Sequence, residues 1–104
     1  MRFAVLLLSV MAFSAAGEEI LVVTIQNHVF SPTEIHIPAN QKFEFKVKNL
    51  DDSAEEFESP GLKVEKVVAA KSEVLIRLKP VAEGRYTFVG EYHEKTARGL
   101  AVVK

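Results

Sequence analysis

The sequence contains no cysteine. That absence excludes disulfide stapling, a thiol nucleophile and thiolate ligation of a metal. Clustered positive charge is also missing: acidic and basic residues alternate along the chain, so there is neither a phosphate track for nucleic acid nor a patch for an anionic membrane. The five glycines form no phosphate-cradling loop, and no serine sits in a nucleophile motif. Convincing helical periodicity, internal repeats, low-complexity tracts and interdomain linkers are absent as well. With 104 residues, the chain has the length of one hydrophobic core. A domain this small without disulfides must rely on that core or on a bound metal.

The longest apolar run, residues 4–13, is too short for a spanning helix, which needs about 20 apolar residues. It follows Arg2 and precedes Ser14, Ala15 and Ala16, the order of charged start, apolar stretch and small-residue cleavage site that marks a secretory signal peptide. Residues 1–16 are therefore expected to be removed on export, leaving a domain over residues 17–104. Their loss takes one basic residue from a total of 13 basic and 14 acidic, so the mature domain is mildly acidic.

Alternation with period two dominates the rest of the chain, punctuated by Gly, Pro, Asn and Asp at the spacing of a β-sandwich. Strands are expected over residues 20–25, 34–37, 42–48, 55–58, 62–68, 73–78, 85–89 and 100–103, about eight in all, with residues 27–32 as a connection. In the stretch 42–48, Phe43, Phe45 and Val47 share one face and four charges the other, as expected of a half-solvated antiparallel strand. Phe43, Phe45, Phe57 and Phe88 are the expected core aromatics. If each strand crosses the sandwich once, alternate connections fall at the same end. His28, the loop before Glu55, the turn at Ala69, Ala70 and Lys71, and the segment 90–99 would then gather together.

That end holds the residues with chemistry. Glu55, Glu56 and Glu58 surround Phe57, and Glu91, His93 and Glu94 lie just beyond Gly90. Carboxylates with imidazole make a hard-to-borderline donor set, suited to iron, zinc, manganese or copper(II). Adjacent negative charges at Glu55 and Glu56 are unfavourable unless something cationic lies near. His28 is an accessory candidate. His36, between Ile35 and Ile37, should face solvent, and Glu65 with Lys66 reads as a salt bridge.

The motifs Phe30-Ser-Pro32, Glu34-Ile-His-Ile-Pro38, Phe43 to Asn49, Gly84-Arg-Tyr86-Thr-Phe-Val-Gly90-Glu-Tyr-His93 and Gly99-Leu-Ala-Val-Val resemble a cupredoxin domain over nearly the whole mature chain. The resemblance implies an all-β, Greek-key β-sandwich. It places the blue-copper ligand positions on Glu55, Gly90, His93 and Ala97, so only one of four copper ligands is present and blue-copper electron transfer is close to excluded. The motifs 54–58, Glu65-Lys66 and 90–93 are similar to small periplasmic cupredoxin-like proteins that accompany Ftr-type iron permeases, and to the cupredoxin domain of the EfeO family.

That similarity implies a periplasmic protein binding iron, copper or both in ferrous iron uptake. It further implies an inner-membrane iron permease and companion periplasmic proteins as partners, with ferroxidase-type activity as an option. The expected metal ligands are His93 with Glu55 or Glu56, completed by Glu91, Glu58 and His28. Carboxylate oxygens favour iron(III), so such a site would promote oxidation by binding the product more tightly. The rival reading is a metal-free adaptor that docks a permease or periplasmic partner through its acidic loop end.

Overall fold

The computed structural model describes residues 19–104. The expected signal segment, residues 1–16, lies outside the described residues. Nine strands follow one another: β1 (Leu21–Gln26), β2 (Val29–Ser31), β3 (Glu34–Ile37), β4 (Phe43–Asn49), β5 (Glu55–Ser59), β6 (Val64–Val68), β7 (Glu73–Leu78), β8 (Gly84–Gly90) and β9 (Arg98–Val103). A single 3-10 turn (Glu91–His93) joins the last two, and the described residues contain no α-helix. The strands form two facing sheets, ordered β2-β1-β4-β7 and β3-β9-β8-β5-β6. Both sheets are mixed, because β1 runs parallel to β4 and β3 parallel to β9.

The all-β sandwich expected from the alternation is what forms, with three differences. The stretch expected to be only a connection carries β2, which is three residues long and too short for a period-two signal. It pairs with β1 through a two-residue turn at Asn27 and His28. Strand β4 lies between parallel β1 and antiparallel β7, so its hydrogen bonding is not purely antiparallel. Phe43, at the start of β4, is only half-buried, whereas Phe30 from β2 joins Phe45, Phe57 and Phe88 in the buried centre. These four rings meet mostly edge to face, with centroids 5.0 to 5.8 Å apart, the favoured geometry for aromatic pairs.

Strand alternation then decides which polar residues turn inward. On β5 the buried positions are Glu55, Phe57 and Ser59, and Glu56 and Glu58 take the other face. Glu58 stands directly opposite Glu65 of β6. Adjacent strand residues face opposite sides of a sheet, so Glu65 and Lys66 do not pair as expected, and Glu65 lies among the carboxylates of β5 instead. His36 is exposed and pairs with Glu34 at 3.1 Å.

Candidate metal centre

The four connections expected at one end do meet there, and two side chains, one from the last residue of β4 and one from the loop after it, tie three of them together. Asn49 is buried; its Nδ2 donates to the carbonyls of Ser53 (2.9 Å) and Val68 (3.1 Å), and its Oδ1 accepts from the Asp51 N–H at 3.0 Å. This Asx-type turn aims Asp51 at the β1–β2 hairpin. Its two oxygens accept the backbone N–H groups of Asn27 (2.7 Å) and His28 (3.0 Å). Partial desolvation pushes the Asp51 carboxyl up, but these N–H groups, with the nearby His28 and His93, prevail and hold it below the ordinary carboxylate value.

The clamp matters because Asn27 and His28 both have positive φ, 54° and 59°. Two-residue hairpins with positive φ at both central positions usually carry Asn-Gly, since a side chain at the second position is strained. Here an imidazole occupies it. The His28 ring stacks on the His93 ring, with centroids 3.6 Å apart and planes inclined by 10°, and its Nε2 lies 3.5 Å from Ser53 Oγ.

His93 ends the 3-10 turn after β8 and is fixed from its other side. Its Nδ1 lies 2.6 Å from Glu55 Oε2, while Glu55 Oε1 accepts the N–H groups of Glu56 (2.9 Å) and Tyr92 (2.8 Å). Glu55 is 1% exposed. A carboxylate so deeply buried needs partners of this kind, and the His93 ring serves Glu55 alone, leaving Glu56 without a share in it. Acceptance by the carboxylate puts the imidazole proton on Nδ1 and leaves Nε2 with its lone pair. The His93 side chain retains 26% exposure. The segment beyond is closed by Ala97 N–H donating to the His93 carbonyl (2.9 Å) and Gly90 N–H to the Ala97 carbonyl (2.8 Å).

Of the residues expected to ligate metal, the structure brings Glu55, His93 and His28 together. Glu56 and Glu58 lie on the outer face beside Glu65. There desolvation, and then repulsion from Glu65 and Glu58, push the Glu56 carboxyl above its ordinary value. Glu91 is half-buried in the 3-10 turn and makes no ion pair among the described residues. Among the described residues no three His, Asp or Glu side chains are grouped as a metal-holding set. Asp51 and Asn49 escaped the reading of the sequence, although an Asn two residues before an Asp in a loop is an Asx-turn signal.

A blue-copper centre does not fit this end. Gly90 stands where the resemblance puts the thiolate, and a Cβ there would lie 2.6 Å from Glu55 Cδ and 2.7 Å from Ala97 Cβ. The Glu55 carboxylate fills the space that a side chain at position 90 would need.

A cupredoxin-like domain family model matches residues 1–103. An uncharacterized protein of Rickettsia prowazekii (strain Madrid E) is 37% identical over 81 residues, covering 78% of this chain; the chain spans only 65% of that relative's length. Among solved structures, a methionine-to-alanine mutant of amicyanin in its Cu(I) form superposes with a TM-score of 0.66 at 19% identity, covering 88% of this chain and 90% of that one. Amicyanin from Paracoccus versutus (Thiobacillus versutus) gives a TM-score of 0.65 at 14% identity, covering 83% and 82% of the two chains. The strand order, the core and the match over nearly the full length agree: this chain belongs to the cupredoxin-like domain family.

Proposed function

We propose that this protein binds a metal ion at the rim formed by His93 and His28, with Glu55 acting through His93 and not as a ligand itself. The observation that carries this reading is the 2.6 Å contact between the buried Glu55 carboxylate and His93 Nδ1. A carboxylate that takes the second ring proton is the usual support behind a metal-ligating imidazole, fixing its tautomer and raising its basicity. His28, held in a strained turn conformation against that ring, becomes the second nitrogen donor by turning its ring out of the stack, because near-parallel rings 3.6 Å apart cannot aim both lone pairs at one ion; strain of this kind concentrates at functional positions. Glu91, two residues before His93 in the same 3-10 turn, is the candidate to add an oxygen.

Two imidazoles suit a borderline ion such as copper(II) better than they suit iron(III), which favours oxygen donors. A bound copper ion would supply one-electron chemistry without a thiolate. Export to the periplasm, ferrous iron uptake and delivery to a permease are the finer role implied by the similarity to permease-associated proteins, and they rest on that similarity alone. The adaptor reading is favoured by a different fact: Glu55 already has three N–H partners, so no metal is needed to neutralise it.

Titration of the purified protein with copper(II), followed by electron paramagnetic resonance and thermal melting, separates the readings. The expected result is one ion with nitrogen hyperfine structure and no intense blue band. It should also raise stability by about 2.7 kcal/mol at a hundredfold excess over Kd. His93→Ala and His28→Ala should each lose that increment. A wild-type melting point indifferent to copper(II), zinc(II) and iron would leave the adaptor.

A further inference from the structure

A cavity lies away from the histidines, between the turn after β5 and the loop after β7. Its volume is about 360 Å3, within the range of small-molecule pockets. Leu62, Val81 and the Tyr86 ring form an apolar floor, and Lys63, Arg77 and Lys79 stand around it. Leu62 is 3% exposed, so the floor belongs to the folded core and not to a mobile surface.

We propose that this cavity is a binding site for a small organic carboxylate with an aromatic or compact apolar body, independent of the metal-binding reading. Three observations converge on it. The first is a built cradle: a Cβ at Gly61 would press into the Tyr86 ring, and one at Gly84 would lie 3.2 to 3.3 Å from the same side chain. Two glycines therefore let the ring lie against the backbone, and its hydroxyl is fixed by donation to the Ala82 carbonyl at 2.8 Å.

The second is charge. The lining contains three cations and no carboxylate. Arg77 is paired with Glu44 at 3.3 Å, but neither Lys63 nor Lys79 has an ion-pair partner among the described residues. The protein as a whole carries a small negative formal charge, so a purely cationic lining is a local feature. The third is backbone strain at the rim. Lys63 has φ of 61°, a left-handed conformation that glycine or asparagine takes more readily. A lysine kept there is strain placed beside a cavity. An apolar floor under unpaired ammonium groups selects a ligand with an apolar body and one negative end; a bare inorganic anion would leave the floor unfilled.

The test is an amide-proton NMR titration of the full chain with 1-naphthaleneacetate, its uncharged amide 1-naphthaleneacetamide, and inorganic phosphate. The acid should give saturable shifts at Gly61, Leu62, Val81 and Tyr86, with little change at His93. The amide should bind about tenfold more weakly, since a hydrogen bond to a charged group is worth about one such factor. Phosphate should not saturate below tens of millimolar. Lys63→Gln and Lys79→Gln sit at exposed positions, should leave the fold intact, and should each weaken the acid several-fold; His93→Ala should leave its affinity unchanged. Equal affinity for acid and amide, saturable shifts elsewhere, or no saturation by the acid would each overturn the proposal, and none of these results bears on copper binding.

Discussion

Replacing Glu55 with glutamine tests how the histidine end is held. Three N–H donors converge on the two carboxylate oxygens, and the group is almost wholly buried. Glutamine keeps the shape but offers one oxygen and one NH2. The oxygen must serve the Glu56 and Tyr92 N–H groups together, because an NH2 there would face two donors. The NH2 is then left against His93 Nδ1, which can accept only if the ring proton moves to Nε2. Hydrogen bonds to charged groups contribute about 1.5 to 3 kcal/mol and neutral ones about 0.5 to 1.5, while removing a buried charge relieves desolvation. The net loss should be about 1 to 2 kcal/mol, a fall in Tm of about 5 to 15 °C for a domain of this size.

Glu55→Ala instead orphans three donors at about 1 to 3 kcal/mol each and opens a cavity, a loss comparable with the whole stability of a small domain. Urea unfolding supplies the free energies, and long-range nitrogen–proton correlation spectra report the His93 tautomer. In Glu55→Gln the tautomer should switch, removing the Nε2 lone pair, and copper(II) affinity should fall although the substituted residue is not a ligand. A glutamine variant as stable as wild type with an unchanged His93 tautomer would refute the account of the site.

Asp51→Asn should lower stability by about 1 to 2 kcal/mol, because one of the two hairpin N–H groups loses its acceptor, as urea unfolding will show. The wild-type contribution has a defined pH sign. The folded carboxyl is held below the ordinary aspartate value, so its stabilisation is full above that ordinary value and drains away as pH falls through the folded one, and the asparagine variant should lack that acid limb. Gly90→Ala should lose about 1 to 3 kcal/mol by overpacking against Glu55 and Ala97, read as a lower urea midpoint with unchanged slope. Glu56→Gln should raise Tm at neutral pH and not at pH 3, because a carboxyl pushed upward opposes folding only once it is ionised.

The sheet architecture was legible because most strands carry their own evidence. The stretch containing Phe43, Phe45 and Val47 alternates cleanly, and its inward set is the one that packs. What the sequence hid depends on pairing between distant segments. Strand β2 has three residues and exists only because β1 lies beside it. At the site, composition drew attention to five carboxylates and two histidines as if proximity in sequence were proximity in space. A strand separates neighbours instead: Glu55 goes into the core while Glu56 and Glu58 face Glu65. The alternation that revealed the fold also contained that division, since Phe57 had to be buried and its two neighbours therefore could not be.

The absence of cysteine has a structural counterpart that composition alone does not reveal. A glycine at position 90 leaves a gap in the wall between β8 and the last loop, and a gap in a close-packed interior is unfavourable unless filled. Glu55 fills it with a side chain that is itself unfavourable to bury, which in turn requires the Tyr92 N–H and the His93 ring to turn inward. His93 so held offers a flat, partly exposed face, and His28 covers it from a turn that tolerates a side chain because Asp51 clamps both of its N–H groups. Each substitution away from the blue-copper pattern thus creates the requirement met by the next. Restoring a single copper-ligand residue should therefore disrupt this end: a cysteine at position 90 has no space until Glu55 is also replaced.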